Sequence, residues 1–463
     1  MIRLSLAEIA AIVEGELLGD DAWVSATVES DSRLVKPGSL FIAKPGEVTD
    51  GHEFLSSAKA SGAAGAIVQR RIDCPLPQIL VSDSVVALGK LAEAVIARLH
   101  EAGRLKVVGI TGSNGKTSTK NMLRAVLSKS GNTVAPIESY NNEVGAPISM
   151  LLADEGTEFL VVELGAGGPG SIEYLTRMCQ PDIAVELKVG LAHVGEFGGI
   201  EKTFEIKSEL VRHSSGAHFV FNADDEYVRA MADFANGEIT WFGLADSARV
   251  RAESIRISLE GTSFDLLIDG QKLQSVTLKI LGEHQVMNAL ATIAVAELLG
   301  LDIPVAVSAL EAMPLAERWR MQLLDGPNGS MIINDAYNAS PDSMRAALQT
   351  LATIGRQGHR TVAVLGEMAE LGEFSAEQHD YIGRTAVRLN IDQVIVVGRG
   401  AKLIHMGASQ EGSWDGESKY FDSISEAVDH LRGLLGSGDV VLVKSSKSAE
   451  LRFLGDALAE VES

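Results

Sequence analysis

Residues 107–123, VVGITGSNGKTSTKNML, combine residue types suited to holding a phosphate group. A β-branched, apolar run enters a glycine-rich turn and leaves it as a helical pattern, so the segment predicts a strand, a loop and a helix. Gly112 and Gly115 can adopt positive φ angles, which would turn backbone amides toward an anion at the helix start. Lys116 could then reach the β- and γ-phosphates of a nucleotide, and the Thr117 hydroxyl could hold Mg²⁺.

The match to the general phosphate-loop pattern, G-x-x-x-x-G-K-[ST], is only partial. That pattern needs glycine at position 110, whereas Ile110 stands there and Gly109 lies one residue too early. The alternative is a glycine-rich strand-to-helix turn that binds no ligand. We favour a phosphate site, because Gly-Lys-Thr directly after a buried strand seldom occurs without one.

A carboxylate ends a second apolar strand of the same predicted sheet. In FLVVELGAGGPGSIEYL, Glu163 follows four residues that would otherwise make a buried strand. Ligands of such sheets bind at the carboxyl ends of the strands, and Mg²⁺ prefers one or two acidic ligands together with phosphate oxygens and water. Glu163 is therefore a candidate magnesium ligand, and the alternative is a solvated strand end.

Three further polar residues have ordinary structural interpretations, and two of them also have functional ones. His193 lies in a loop after another such strand, where it is a metal ligand or, more commonly, a structural residue. Lys207 falls within an amphipathic helical segment, and its position alone indicates a surface lysine. Asn288 lies among small apolar residues in a predicted helix, so its amide must be hydrogen-bonded, either to a helix partner or to an adenine.

The stretch NDAYNASPDSMRAAL follows a strand and opens a helix. Asp335, Tyr337 and Asn338 therefore lie on a strand-to-helix loop, where functional groups concentrate. The alternative is ordinary capping, in which Ser340 or Asp342 satisfies the first amides of the helix. Capping accounts for the second half of the stretch but not for Asp335 and Tyr337.

Composition restricts the class of protein. The 463 residues predict roughly three domains of about 150 residues, and 46% hydrophobic residues with 46 glycines and 5% aromatics favour an α/β protein. A net charge of −22 argues against a nucleic-acid or acidic-membrane partner, because either would need a basic face. Only Cys74 and Cys179 occur, and no run of about 18 apolar residues is present. We therefore expect no disulfide framework, no stable membrane association and a cytoplasmic location.

Alternating strand-like and helical runs divide the chain into three predicted domains. Residues 1–103 form a small N-terminal α/β domain that begins with an amphipathic helix in MIRLSLAEIAAIVEGELLGDD. Residues 104–313 form a central domain whose mostly parallel sheet carries the phosphate loop, with antiparallel strands inserted at 246–280. Residues 314–463 form a C-terminal, Rossmann-like, doubly wound domain.

These stretches resemble motifs of the Mur ligase superfamily, in the same order and over nearly the whole chain. TGSNGKTS resembles the family's own phosphate loop, and SYNNEVGAPISML (139–151), ELGAGGPGSI, GEHQVMNALA and LGEMAELGE resemble further motifs. The most discriminating stretches are DAYNASPDSM and the N-terminal DSRLVKPGSLFIAKPGEVTDGHEFLSSAKASGAAGAIV. Family members that add diaminopimelate or lysine usually carry Tyr-Ala-His-Thr-Pro in place of the Tyr-Asn-Ala of the former stretch.

The resemblance implies an ATP-dependent amide ligase that adds D-alanyl-D-alanine to UDP-N-acetylmuramoyl-tripeptide and releases ADP and phosphate. The tripeptide carboxylate would take the γ-phosphoryl group to become an acyl phosphate, which the amine of the dipeptide attacks. ATP, two Mg²⁺ ions and a carbamylated Lys207 are the implied cofactors. The alternatives are a related ligase that adds a single amino acid and a non-catalytic nucleotide-binding module.

The resemblance also implies a role for each candidate residue, with UDP-sugar on the N-terminal domain, ATP on the central one and the dipeptide on the C-terminal one. The implied catalytic residues are Lys116, His193 and Lys207. The implied ATP-binding residues are Gly112, Ser113, Asn114, Gly115, Lys116, Thr117, Ser118, Asn288, Arg320 and Asp335. The implied substrate-binding residues are Ser30, Asp31, Ser32, Arg33, Asn141, Asn142, Tyr337 and Asn338. The implied metal ligands are Thr117, Glu163, His193 and Lys207.

The chain departs from the usual family residues in three places. Lys188 stands where relatives commonly have Asn, EIKSEL replaces AKGE around Lys207, and VKSSKS replaces VKGSRS near the C-terminus. Lys207 keeps its place in the helical pattern, whereas the roles of Lys188, Lys444 and Lys447 stay open. The third residue of the acceptor peptide, diaminopimelate or lysine, also stays open, and we expect a monomer.

Overall fold

Separate sheets follow one another along the chain. The computed structural model describes residues 1–46, 49–136, 139–192, 194–314, 318–412 and 416–461. None of the helices within these ranges is both long and apolar enough to cross a membrane.

The N-terminal unit is a small α/β layer. Its strands are β1 (Leu4–Ser5), β2 (Glu16–Leu18), β3 (Trp23–Val24), β4 (Val28–Glu29), β5 (Leu40–Ile42), β6 (Gly65–Val68) and β7 (Gln78–Leu80). Its helices are α1 (Leu6–Ile12), α2 (Leu55–Ala60) and α3 (Ser84–Glu101). The main sheet has the order β2-β7-β6-β5-β4, and only β2 is antiparallel to its neighbour.

The expected long N-terminal helix is wrong beyond Ile12. Helix α1 begins with a reciprocal capping box, in which Ser5 and Glu8 each accept from the other's backbone amide. The chain then adopts a left-handed conformation at Glu14, with φ +55°, and continues into β2. The apolar residues of β2 pair with β7, so their spacing serves a strand and not a further helical turn.

The central unit is built on a nine-stranded sheet. Its strands are β8 (Lys106–Thr111), β9 (Thr133–Val134), β10 (Phe159–Glu163), β11 (Ile183–Glu186), β12 (His218–Asn222), β13 (Ile239–Gly243), β14 (Val250–Ser258), β15 (Gly261–Ile268) and β16 (Gln271–Leu278). Its helices are α4 (Lys116–Leu127), α5 (Gly145–Met150), α6 (Ser171–Cys179), α7 (Val194–Phe197), α8 (Ile200–His213), α9 (Glu226–Ala230), α10 (Glu283–Leu298) and α11 (Ile303–Ala312).

The order of this sheet is β16-β15-β14-β13-β12-β11-β8-β10-β9. Neighbours from β9 to β14 are parallel, whereas β14, β15 and β16 pair antiparallel. The predictions of a mostly parallel sheet and of antiparallel strands within 246–280 are both confirmed. Strand β8 carries the phosphate loop at its carboxyl end and lies between β10 and β11, so side chains that end all three strands converge there.

The C-terminal unit is a six-stranded sheet in the order β17-β18-β22-β19-β20-β21. Its strands are β17 (Gln322–Asp325), β18 (Met331–Asn334), β19 (Thr361–Leu365), β20 (Gln393–Val397), β21 (Glu417–Phe421) and β22 (Val440–Lys444). Its helices are α12 (Pro341–Gly355), α13 (Ser375–Arg388), α14 (Lys402–Gln410), α15 (Ile424–Leu434) and α16 (Leu451–Leu458).

This sheet is doubly wound, as predicted. All neighbours are parallel except β17 and β18. Alternate residues of its strands pack on opposite faces: Ile333 belongs to the cluster that contains α12 and α13, and Ile332 to the cluster that contains α15 and α16. Each face therefore buries one layer of helices.

Helices α13 and α14 approach closely because glycine occupies the crossing point. A Cβ on Gly383 would overlap the backbone carbonyl oxygen of Ile404, whereas a Cβ on Gly433 in the exposed end of α15 would meet nothing within 4 Å. We expect Gly383→Ala to destabilise the C-terminal domain by about 1–3 kcal/mol through overpacking. The matched Gly433→Ala should be neutral or stabilising by up to about 1 kcal/mol, because alanine favours the helix. Thermal unfolding of both variants measures this, and an unchanged midpoint for Gly383→Ala would contradict the close crossing.

Candidate functional site

The phosphate loop has the backbone that its glycines predict. Gly112 and Gly115 have φ angles of +149° and +92°, and helix α4 begins at Lys116. The Lys116 ammonium donates to the carbonyl oxygen of Gly112 at 2.7 Å, which folds the side chain back over the loop. Burial lowers the pKa of Lys116, the Glu163 carboxylate opposes this shift, and the Arg320 charge adds to it.

A carboxylate and a hydroxyl meet beside this loop. Glu163 ends β10 with 3% of its surface exposed, and its Oε2 accepts from Thr117 Oγ1 at 3.0 Å. Its Oε1 accepts from the Asn141 amide at 2.8 Å, and Ser139 Oγ lies 3.0 Å from Thr117 Oγ1. This set of carboxylate and hydroxyl oxygens suits Mg²⁺, which completes its shell with phosphate oxygens and water. Within the described ranges, no three His, Cys, Asp or Glu side chains form a self-sufficient metal cage.

Lys207 is buried, whereas its position in the sequence alone had indicated a surface lysine. It lies on α8 with 3% exposure. Burial lowers its pKa to about 7, and the Lys116 charge acts in the same direction, while Glu186 opposes the shift. Burial also raises the pKa of Glu186 well above its ordinary value, and within the described part of the chain neither of its carboxylate oxygens has a hydrogen-bond partner. His193 lies outside the described residues.

Asn288 is buried against the phosphate loop. Its amide Nδ2 donates to Gln285 Oε1 at 3.0 Å, and its Oδ1 accepts from Thr119 Oγ1 at 3.3 Å. A Cβ on Gly115 would lie 2.5 Å from the same oxygen, so this glycine is needed for space as well as for its φ angle. Asn288 therefore has the helix partner that the sequence left as one option, and it also lines the cavity described below.

The C-terminal unit supplies the opposite wall. Arg320 Nη2 lies 3.5 Å from Thr117 Oγ1 and from Ser139 Oγ, and its guanidinium stacks 4.1 Å above the Tyr337 ring. The Asp335 carboxylate accepts from Lys444 Nζ at 2.6 Å. Lys444 is 2% exposed and also donates to the carbonyl oxygens of Asp335 and Asn338. Lys444, whose role the sequence left open, therefore holds the loop that presents these residues.

Polar contacts join the start of α12 to the central unit, among them a bond from Ser340 Oγ to Asn114 Oδ1 at 3.2 Å. Asp342 Oδ2 accepts from the Leu191 amide at 2.9 Å, and Lys188 Nζ lies 3.6 Å from Asp342 Oδ1. Ser340 caps α12 by accepting from the Ser343 amide at 3.4 Å. Of the two capping residues considered from sequence, Ser340 is the cap, whereas Asp342 binds across the two units. Lys188 thereby gains a role that the sequence left open.

A cavity of about 940 Å³ lies between the two units. The expected ATP-binding residues that line it are Ser113, Asn114, Gly115, Lys116, Thr117, Ser118, Asn288, Arg320 and Asp335. Other predicted site residues that line it are Asn141, Glu163, Tyr337 and Asn338. Gly112, Asn142 and Lys207 do not line it, and Asn142 instead caps the start of α5 by accepting from the Gly145 amide at 2.8 Å.

The N-terminal candidates lie away from this cavity. Ser30, Asp31, Ser32 and Arg33 follow β4, and none of them lines the cavity. Arg33 donates to the Asp31 carboxylate through Nε and Nη2, with shortest distances of 2.9 and 2.6 Å, and through its backbone amide at 2.9 Å. These bonds lower the pKa of the Asp31 carboxyl to about 2.

Sequence reasoning missed several residues of the cavity wall. Ser139, Asp224, Asp225, His284 and Gln285 all line it. Ser139, His284 and Gln285 lie in stretches that were matched to family motifs, so the signal was present but was not resolved to single side chains. His284 is partly buried, and its Nδ1 has no hydrogen-bond partner among the residues that the structure describes. Desolvation lowers its pKa to about 4, so it is neutral near pH 7.

Family models match three successive parts of the chain. The Mur ligase family catalytic domain matches residues 26–107, the Mur ligase middle domain 110–296, and the Mur ligase glutamate ligase domain 319–447. A UDP-N-acetylmuramoyl-tripeptide–D-alanyl-D-alanine ligase of Mycobacterium tuberculosis is 41% identical, over 99% of this chain and 98% of the relative. The ligase of the same name from Escherichia coli is 32% identical over 99% of each chain.

Solved structures agree with these matches. A crystal structure of MurF from Acinetobacter baumannii superposes with a TM-score of 0.88 at 30% identity, over 99% of each chain. MurF ligase from Thermotoga maritima in complex with ADP superposes with a TM-score of 0.81 at 28% identity, over 94% of this chain and 98% of the other. The fold is therefore the three-domain α/β architecture of these proteins, and the chain belongs to the Mur ligase family.

Proposed function

We propose that this protein is an ATP-dependent ligase that adds D-alanyl-D-alanine to UDP-N-acetylmuramoyl-tripeptide, forming ADP and phosphate. The main observation in support is that Lys116, Thr117 and Glu163 of the central domain line the same cavity as Arg320 of the C-terminal domain. Full-length similarity to relatives named for this reaction supports the choice of substrates. The reaction is a step of peptidoglycan precursor synthesis, and the expected cytoplasmic location suits a reaction between ATP and a UDP-linked precursor.

The domains divide the substrates between them in this proposal. The boundaries lie near residues 103 and 313, between successive sheets. The N-terminal domain holds the UDP-sugar through residues 30–33, which do not line the cavity, and the peptide end of the precursor extends from there to the cavity. The C-terminal domain holds the dipeptide beside Tyr337 and Asn338, and the protein works as a monomer.

Two Mg²⁺ ions fit the proposed chemistry. Thr117 and Glu163 would hold one ion, and His193 with a carbamylated Lys207 would hold the other, with Asn141 orienting the Glu163 carboxylate. The ions would neutralise phosphate charge and so lessen the repulsion between ATP and the substrate carboxylate.

Carbamylation of Lys207 is supported by its surroundings. Burial and the Lys116 charge lower its pKa to about 7, so a large fraction of the amine is neutral near pH 7. The neutral nitrogen can attack CO₂, which forms an N–C bond and releases one proton, and leaves an anion where a cation would be unfavourable. A surface lysine would keep its proton and react far less.

The remaining residues position and screen the reactants. Lys116 and Arg320 place positive charge on both sides of the transferring phosphoryl group, which passes from ATP to the tripeptide carboxylate. The dipeptide amine then attacks the acyl carbon, and the carbon–oxygen bond to phosphate breaks. The contacts of Asp342 with Leu191 and Lys188 join the two walls, which would help to exclude water from the acyl phosphate.

A phosphate-release assay on the full-length protein tests the proposed function. We expect release only when ATP, UDP-N-acetylmuramoyl-tripeptide and D-alanyl-D-alanine are all present, with a pentapeptide product by mass spectrometry. Acceptors that contain diaminopimelate or lysine should be compared directly. Release with a single amino acid in place of the dipeptide would identify the alternative ligase, and nucleotide binding without any release would identify a binding module.

Lys116→Ala should lower the rate of phosphate release by on the order of 10³-fold, because the ammonium supports the transferring phosphoryl group. The matched control is Lys129→Ala, just beyond the end of the same helix and exposed. Both variants should unfold at the temperature of the parent protein. Near-normal ligation by a folded Lys116→Ala protein would remove the phosphate-loop assignment.

Lys207→Ala should be almost inactive, and short carboxylic acids such as acetate should partly restore the rate, because a free carboxylate can replace a carbamate. In ¹³C-bicarbonate, the parent protein should give a carbamate resonance that is absent from Lys207→Ala. Lys202→Ala is the matched control, an exposed lysine on the same helix. Full activity of the parent with no labelled carbamate would show that Lys207 acts unmodified.

A further inference from the structure

The backbone on both sides of Arg320 has an unusual conformation. Trp319 and Met321 have φ angles of +64° and +51°, in the left-handed region that non-glycine residues seldom adopt. Such residues cost on the order of 1–3 kcal/mol each and persist only where surrounding contacts hold them. Their position on both sides of one functional side chain raises the question of which contacts hold them.

Backbone hydrogen bonds fix this segment from within the C-terminal domain. The Trp319 amide donates to Gln322 Oε1 at 3.0 Å, and the Tyr337 amide donates to the Trp319 carbonyl oxygen at 3.1 Å. The Met321 amide donates to Asp335 Oδ1 at 3.0 Å. These bonds involve the residues on each side of Arg320, so the direction in which its side chain leaves the backbone is set by its neighbours.

The Trp319 side chain is anchored by residues that do not line the cavity. Its indole Nε1 donates to Asp456 Oδ2 at 2.9 Å. The ring packs edge-on against Phe453, with centroids 6.1 Å apart, and the Arg452 guanidinium lies 5.5 Å from its centroid. All three partners belong to α16, so this helix holds the segment that contains Arg320.

Asp456 is a buried carboxylate with several donors. It is 2% exposed, and its Oδ2 also accepts from Arg318 Nη2 at 2.9 Å, while its Oδ1 accepts from Asn334 Nδ2 at 3.2 Å. Charge-assisted bonds of this kind are strong and directional. Asp456 thereby ties the Arg318–Trp319 segment to β18, the strand that leads into Asp335 and Tyr337.

We infer that Trp319 and Asp456 are positioning residues that hold Arg320 toward Thr117 in the nucleotide cavity. Neither residue lines the cavity, whereas Arg320 does and reaches within 3.5 Å of Thr117 Oγ1. The inference rests on the role proposed above for Arg320. Without the hydrogen bond from the indole, the strained segment relaxes and the guanidinium loses its fixed position. A displacement of about 1 Å near a reacting group is enough to lower the reaction rate.

The test is a double-mutant cycle on the full-length protein. Trp319→Phe keeps a ring but removes the indole N–H, and Asp456→Asn keeps the size of the side chain but changes one acceptor into a donor. Each should lower kcat by roughly 10-fold, with the KM for UDP-N-acetylmuramoyl-tripeptide unchanged. Arg320→Ala should lower kcat further. Adding Trp319→Phe to Arg320→Ala should have no additional effect, because the anchor acts only through the arginine.

Trp23→Phe is the matched control. Trp23 is 53% exposed on the N-terminal domain, and its ring also lies beneath an arginine, with Arg3 4.7 Å from the centroid. It should leave kcat unchanged. Thermal unfolding separates positioning from folding: a loss of stability in both Trp319→Phe and Asp456→Asn that matches their loss of activity would overturn the inference.

Two further outcomes separate the inference from the proposed function. If Arg320→Ala lowers kcat but Trp319→Phe and Asp456→Asn do not, or if the effects of Trp319→Phe and Arg320→Ala add, the positioning role is wrong while the function stands. If Arg320→Ala keeps full activity in a working ligase, the role of Arg320 itself is wrong and the inference falls with it.

Discussion

The parallel register of β8 and β10 is the constraint on which the site depends. Glu163 pairs with Ile110, so the last residue of β10 lies beside the end of the strand that leads into the phosphate loop. This register brings the Glu163 carboxylate within 3.0 Å of the Thr117 hydroxyl, one residue into α4. A shift of one residue would turn the carboxylate to the other face of the sheet and replace it with an apolar side chain. The order of the strands thus places acidic and basic groups together before any ligand arrives.

The central sheet provides only one side of the cavity. Arg320 and Tyr337 belong to the C-terminal domain and line the cavity opposite the loop, and the contact of Asp342 with the Leu191 amide is one of those that join the two domains. A carboxylate that accepts from an amide of another domain is a directional contact, so it fixes orientation as well as distance. The same docking brings Lys188 to Asp342. A single segment, the loop after β18 and the first turn of α12 (residues 335–342), therefore serves both to line the cavity and to join the domains.

The sequence predicts the parts of this protein that local chemistry determines. Glycines at positions of positive φ, a carboxylate at the end of an apolar strand and alternating strands in 246–280 could all be read directly, and the structure agrees with each. The predicted N-terminal helix is too long, because the apolar spacing of residues 16–18 fits either a helix or a strand when the pairing with β7 is not known. The partners of Asp342 and Lys444 could not be predicted. Asp342 contacts Leu191 in another domain, and Lys444 pairs with Asp335, about a hundred residues away in the sequence, so both contacts depend on tertiary packing.

The charge distribution explains how an acidic protein can bind anionic substrates. The net charge is −22, yet Lys116, Lys188, Arg320 and Lys444 all line one cavity. Carboxylates line the same cavity, and those of Asp335 and Asp342 pair with Lys444 and Lys188. The attraction for phosphate is therefore local, at cations such as Lys116 at the start of α4, where the helix dipole also favours an anion. The Lys116 charge also helps to lower the pKa of Lys207, and so favours the neutral amine that the proposed carbamylation requires. In the proposed chemistry, the arrangement that binds phosphate therefore also promotes the modification that turns a neighbouring lysine into a metal ligand.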